Sequence, residues 1–218
     1  MSGAPLVASP LYGLRTWSVV GASGEERLTG PQQATPWPGA GAWLDAACTR
    51  VPGHAAPAPG CGCGVHAWHP GRRSARRVLA MRREVPGVIE ARGAVEVHRE
   101  GFRAAQARPL ALMLAPGANA GRIRRLAAAY DAEPVPVDGP DALLAWCRAR
   151  GLGLEPAVVD ELLGPERVAE QQRKTRMERV RIAAALAAIA VLLAVGLVVN
   201  DDPGDRTLFG RTGEVKPR

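Results

Sequence analysis

The sequence predicts an α+β fold: a β-rich N-terminal half, two or three short helices, then a long stalk helix continuous with one C-terminal transmembrane helix. Three observations carry this expectation. Short alternating or β-branched runs, punctuated by glycine and proline, fill the chain up to residue 114. Apolar residues then recur at helical spacing, as in Ile123, Leu126, Ala127 and Tyr130. Lastly, residues 182–199 read IAAALAAIAVLLAVGLVV, with nothing polar among them. The expected organisation is a disordered end over 1–10, a cytoplasmic α+β domain over 11–164, a basic juxtamembrane helix over 165–181, the transmembrane helix over 182–199 and a short external tail over 200–218.

Taken in order, LRTWSVV, a Gly-Ala-Ser-Gly turn and a return through Arg27 and Leu28 predict a hairpin. Proline and glycine over 30–41 predict a long loop that holds Trp37. Residues 42–48 can form a strand with Ala42, Leu44, Ala46 and Cys48 on one side. A second Pro- and Gly-rich stretch, 51–60, precedes CGCGVHAW, which reads as a short strand. Residues 72–83 read as a basic helix. Two strands, 88–98 and 102–114, are joined by a turn at Arg99, Glu100 and Gly101, with Leu110, Leu112 and Leu114 sharing a face. Asn119 suits a helix cap, as does Asp138 for the next helix, which has Pro140 in its first turn and Gly151 at its end. Leu143, Leu144 and Cys147 of that helix are expected to face inward. Pro156 opens a short helix through Leu163, and Pro165 opens the stalk, which shows no apolar heptad seam.

Eighteen apolar residues at 1.5 Å each reach about 27 Å, close to the hydrocarbon thickness of a bilayer. Basic residues precede the run and Asp201, Asp202 and Asp205 follow it, so the positive-inside bias predicts a cytoplasmic N-terminal domain. Arg173, Lys174, Arg176, Arg179 and Arg181 then point to anionic lipid headgroups as a partner. The formal net charge of +7 fits that reading. The N-terminus lacks a basic start followed by an apolar stretch, so no signal peptide is expected and the thiols are expected to be reduced.

The densest chemistry is Cys48, His54, Cys61 and Cys63 within sixteen residues. Zinc takes four soft or borderline ligands in a tetrahedron, and three cysteines with one histidine are a common structural set. Cys61-Gly-Cys63 on an extended segment sends both sulfurs to the same side. Gly60, Gly62 and Gly64 let the backbone curl round a metal. His66 and His69 are alternatives to His54 as fourth ligand. The spacing departs from the usual paired Cys-X-X-Cys knuckles, and inert buried thiols or a redox-active pair stay open beside zinc.

Cys48, His54-Ala-Ala-Pro57 and Cys61-Gly-Cys63-Gly64-Val65-His66-Ala67 resemble the signature of an uncharacterised actinobacterial and actinophage domain family. Gly87-Val-Ile-Glu-Ala-Arg-Gly93, His98 and Gly101-Phe-Arg-Ala104 are similar to its second block. The resemblance covers residues 11–115, and His66 departs from the aromatic residue, commonly Tyr, at that place. It implies a domain and no reaction.

Several activities lack their residues. The chain has no phosphate-binding loop ending in Gly-Lys-Ser/Thr, no His-Glu-x-x-His, and in Gly39-Ala-Gly41 no complete dinucleotide fingerprint. No nucleotide cofactor is expected. Arg72, Arg73, Arg76, Arg77, Arg82 and Arg83 form a basic run without aromatic stacking residues, which argues against nucleic acid. The expected function is a membrane-anchored binding or regulatory domain, stabilised by zinc, without identifiable catalysis and with a protein partner. Its alternative is a membrane-tethered cysteine enzyme for redox or acyl-transfer chemistry, with Cys61 or Cys63 as thiolate and His54 or His66 as base.

Overall fold

A computed structural model describes residues 10–200, apart from 23, 32, 52 and 82. The chain divides into two units, Met1–Val168 and Ala169–Arg218. In the first, β1 (Leu11–Val20), β2 (Arg27–Gly30), β3 (Gln33–Pro36), β4 (Leu44–Asp45) and β5 (Val65–Trp68) precede α1 (Arg72–Ala80). The long strands β6 (Val85–Val97) and β7 (Gly101–Leu114) follow. Then come α2 (Ala120–Ala129), β8 (Glu133–Pro136), α3 (Pro140–Ala149) and the start of α4 (Pro156–Asn200).

The ladder closes on itself. β1 pairs β6, β6 pairs β7, β7 pairs β5, and β5 returns to β1 through the one pair Leu14–Trp68, all antiparallel. Alternation along β1 sends Leu11 and Trp17 to one face, and Leu14 to the other. The first face carries Ile89, Val95, Phe102 and Leu112, and is covered by Ile123, Leu126 and Ala127 of α2 with Val159 and Leu163 of α4. Trp17 is fully buried there, edge-on to Trp37 at 5.4 Å between ring centroids. Leu14, Val88, Ala111, Met113 and Val135 form the second face under Ala75 and Val78 of α1 and Leu143 and Cys147 of α3. The buried Tyr130 hydroxyl, just past α2, accepts from Leu28 N–H at 2.8 Å and donates to the Trp37 carbonyl at 3.3 Å. That contact ties α2 to the hairpin.

Several expectations are refined by this register. β3 lies inside the predicted loop, and β8, unpredicted, runs parallel to the end of β7. The predicted strand over 42–48 pairs only at Leu44–Asp45, and in CGCGVHAW only Val65–Trp68 is strand. Leu110 leaves the face of Leu112 and Leu114: Val88 pairs Ala111 and Ile89 pairs Pro109, so Leu110 is the extra residue of a bulge and joins the second cluster. Gly139, rather than Asp138, stands at the N-cap of α3. Asn119 does cap α2, its side chain accepting from Arg122 N–H at 3.0 Å. Replacing Asn119 with Ala is expected to cost about 1 kcal/mol, read as a lower urea midpoint at unchanged slope. An unchanged midpoint would show that the cap adds nothing.

The break expected between the helix from Pro156 and the stalk is present at Gly164, whose φ of 71° is left-handed, just before Pro165. With α4 divided there, the described residues hold five helices. Among these residues, no helix is long and apolar enough to cross a membrane. This corrects the transmembrane helix expected at 182–199, and with it the single-pass attachment and the cytoplasmic and external assignments built on it. Described side chains of that apolar run end at Leu192. The side chains over 193–199, like those of Lys174 and Arg179, lie outside the described residues, as do 1–9 and 201–218 of the predicted termini.

Candidate metal centre

The loop between β4 and β5 is poor in large apolar side chains, so its path depends on polar contacts. It leaves the sheet after Ala46, whose N–H donates to the Ala105 carbonyl at 2.7 Å beside the Leu44–Ala107 pair. It rejoins at Val65, paired with Ala104. Gly64, at φ +117°, makes that return possible: a Cβ there would lie 3.1 Å from Arg103 Cβ and 3.3 Å from Pro57 Cβ. Both ends of the loop are thereby fastened to β7.

Between those ends, Cys48, His54, Cys61 and Cys63 converge, with their ligand atoms all within 4.8 Å of one another. Cys48 Sγ lies 3.7 Å from Cys61 Sγ, and His54 Nε2 lies 3.3 Å from Cys63 Sγ. A disulfide needs about 2.05 Å, and all four cysteines are free. The four side chains lie close enough to hold a metal ion. Each is half-buried.

The other histidines are engaged elsewhere. His66 Nε2 donates to the Gly62 carbonyl at 2.9 Å, and His69 Nε2 to the His98 carbonyl at 2.9 Å. Burial holds both rings below the ordinary histidine pKa. His98 Nε2 accepts from Arg103 Nε at 3.3 Å. Of the three histidines considered as fourth ligand, His54 is the one whose nitrogen meets the sulfurs.

The thiols differ in environment. Val51 N–H donates to Cys48 Sγ at 3.3 Å, and that bond draws the Cys48 pKa down. Burial, with the neighbouring thiols, pushes Cys63 up. Cys147 lies apart, packed between α3 and the sheet, and burial raises its thiol to about 11.

Sequence reasoning missed what lies beneath the loop. Arg103, on β7, is paired in register with His66 of β5 on one side and Glu96 of β6 on the other. Its guanidinium donates to Glu96, to the Cys61 carbonyl and, at 3.1 Å, to the Cys63 carbonyl. A signal existed: Arg103 interrupts the apolar run of Phe102, Ala104 and Ala105, and Glu96 interrupts Val95 and Val97. The basic stretch at α1 is a separate feature, with Arg72 paired to Asp141, Arg73 to Glu100, and Arg77 stacked on Trp68. Compared with family models, with curated proteins and with solved structures, the chain finds no match.

Proposed function

We propose that the chain is a binding domain whose loop between β4 and β5 is held by a structural zinc ion on Cys48, His54, Cys61 and Cys63. One observation carries the reading. In a tetrahedral zinc site the bond lengths set the edges, about 3.8 Å between sulfurs and about 3.5 Å between sulfur and nitrogen. The separations of 3.7 Å for Cys48–Cys61 and 3.3 Å for His54–Cys63 agree with those edges. Three thiolates and an imidazole suit zinc better than the hard oxygen-loving cations. Four protein ligands also close the coordination shell, leaving no position for substrate, which favours a structural over a catalytic ion.

Thiol catalysis fits less well. A cysteine nucleophile needs its thiolate favoured, whereas Cys63, the thiol beside His54, is pushed the other way. His66, the other candidate base, has its Nε2 occupied by Gly62.

Native mass spectrometry of the full chain, purified under reducing conditions, is expected to show one zinc per polypeptide. Metal-free protein that takes up none on addition of zinc would end the reading.

A further inference from the structure

The Cys61-Gly62-Cys63 segment is gripped from behind at every carbonyl. Arg103 takes the carbonyls of Cys61 and Cys63, and His66 takes that of Gly62. Arg15, on β1, donates in turn to the His66 carbonyl. The grip does not come from scattered side chains, because His66, Arg103 and Glu96 are directly opposite one another on three adjacent strands. They form a polar row across β5, β7 and β6, on which the loop is seated. The Arg103 side chain is only 8% exposed. A buried guanidinium needs its donors satisfied, and here one carboxylate, one imidazole and two loop carbonyls do so.

We infer that Arg103 is a positioning residue for the metal: seated on the His66–Arg103–Glu96 row, it presets the Cys-X-Cys chelate by holding its backbone carbonyls away from the thiols. The inference rests on the zinc reading above and deepens it. Arg103 and His66 hold all three carbonyls, which leaves the thiols of Cys61 and Cys63 free of those donors and beside Cys48 and His54, whose ligand atoms lie within 4.8 Å of theirs. The two ligand pairs therefore differ. Cys61 and Cys63 are held to the sheet at their own carbonyls, while Cys48 and His54 follow the Ala46–Ala105 backbone bond by two and eight residues. Metal binding then orders one arm onto another already in place, so less ordering entropy opposes it than if both had to be fixed.

Glu96 already neutralises the guanidinium, so what Arg103 supplies is a planar fork rather than charge. An ammonium group in its place keeps the charge but cannot span two carbonyls in the same fixed geometry. The test uses the full chain as wild type, Arg103→Lys, Arg103→Gln and the surface control Arg73→Gln. Zinc affinity is measured by competition with a chromophoric chelator, at a temperature where circular dichroism shows each protein folded. Cobalt(II) serves as a spectroscopic probe of the coordination geometry.

Arg103→Gln is expected to weaken zinc binding roughly 10- to 100-fold, in the range found for outer-shell partners of metal ligands, and Arg103→Lys to recover it only partly. Arg73→Gln should bind as the wild type does. Saturated variants should still give tetrahedral cobalt bands, because the ligands themselves are unchanged. Wild-type affinity in Arg103→Lys overturns the inference and leaves the zinc reading standing. A wild type that binds neither zinc nor cobalt overturns both. If Arg103→Gln does not fold, Arg103→Lys alone decides between these outcomes.

Discussion

On the zinc reading, a Cys61→Ser variant is expected to lose stoichiometric zinc and to melt well below the wild type, whereas Cys147→Ser is expected to keep the metal. A metal that binds the folded loop in preference to the unfolded chain makes its binding energy part of the folding energy. With free zinc a thousand-fold above Kd this amounts to about 4 kcal/mol, which for a chain of this length corresponds to a fall in Tm of roughly 8–16 °C. Cys147 is far from the cluster, fully buried between Leu143, Val135 and Val137. Serine there places a hydroxyl in apolar surroundings and costs about 1–3 kcal/mol, with one zinc still bound. Chelator separates the two effects. It should lower the Tm of the wild type and of Cys147→Ser, and leave Cys61→Ser unmoved. A Cys61→Ser protein with a full complement of zinc would remove Cys61 from the ligand set.

The second large effect is expected at Gly101, where no metal is involved. Gly101 opens β7 opposite Trp68, and a Cβ built on it would lie 2.0 Å from the Ala67 carbonyl oxygen and 2.9 Å from Trp68 Cα. Both obstacles are backbone, so no rotamer change relieves them and the strands must part. β5 is the strand that closes the ring between β7 and β1, and its loss also unseats His66 from beside Arg103. Gly101→Ala is expected to destabilise the domain by about 4 kcal/mol or more, at the upper end for a single substitution, or to prevent its accumulation as folded protein. Gly139→Ala is the comparison, since a Cβ there meets nothing within 4 Å and only about 1 kcal/mol of capping is at stake. Urea unfolding of both variants gives the answer. Similar midpoints would mean that β5 and β7 do not approach as closely as described.

The Cys/His cluster was legible because zinc chemistry demands particular residue types, and three of the four cysteines fall together with His54 in one short stretch. Which histidine completes the set was not legible. His54, His66 and His69 are all near in sequence, and only the strand register, which turns His66 toward Gly62, separates them. Long strands announced themselves through alternation, whereas β3 and β8 are four residues each and contain one and two prolines. Proline normally argues against a strand, and Pro134 and Pro136 are tolerated because β8 pairs only with β7. The misplacement of Leu110 has a similar origin: a bulge shifts the alternation by one residue, and no local pattern marks it. Arg103 was hidden for a different reason. In a chain this rich in arginine, a single guanidinium within an apolar strand means little until its neighbours Glu96 and Cys61 are known. Residues 48–63 and Arg103 of β7 do meet in space, the first holding the four clustered side chains and the second donating to the Cys61 carbonyl.

β7 has a further consequence, for solubility. Along most of its length one side is bonded to β6, while the other is taken in turn by β5, β4 and β8. Three short strands laid end to end thus cover the free hydrogen-bonding row that so long a strand would otherwise offer to another polypeptide. Exposed rows of that kind are where sheet proteins recruit copies of themselves and aggregate. β4 supplies the middle patch with only two residues, and it stands at the entrance to the cysteine loop. Slackening that loop would uncover the central part of β7, so on the zinc reading chelator-treated protein should precipitate through β-strand addition at concentrations where zinc-supplemented protein stays dispersed.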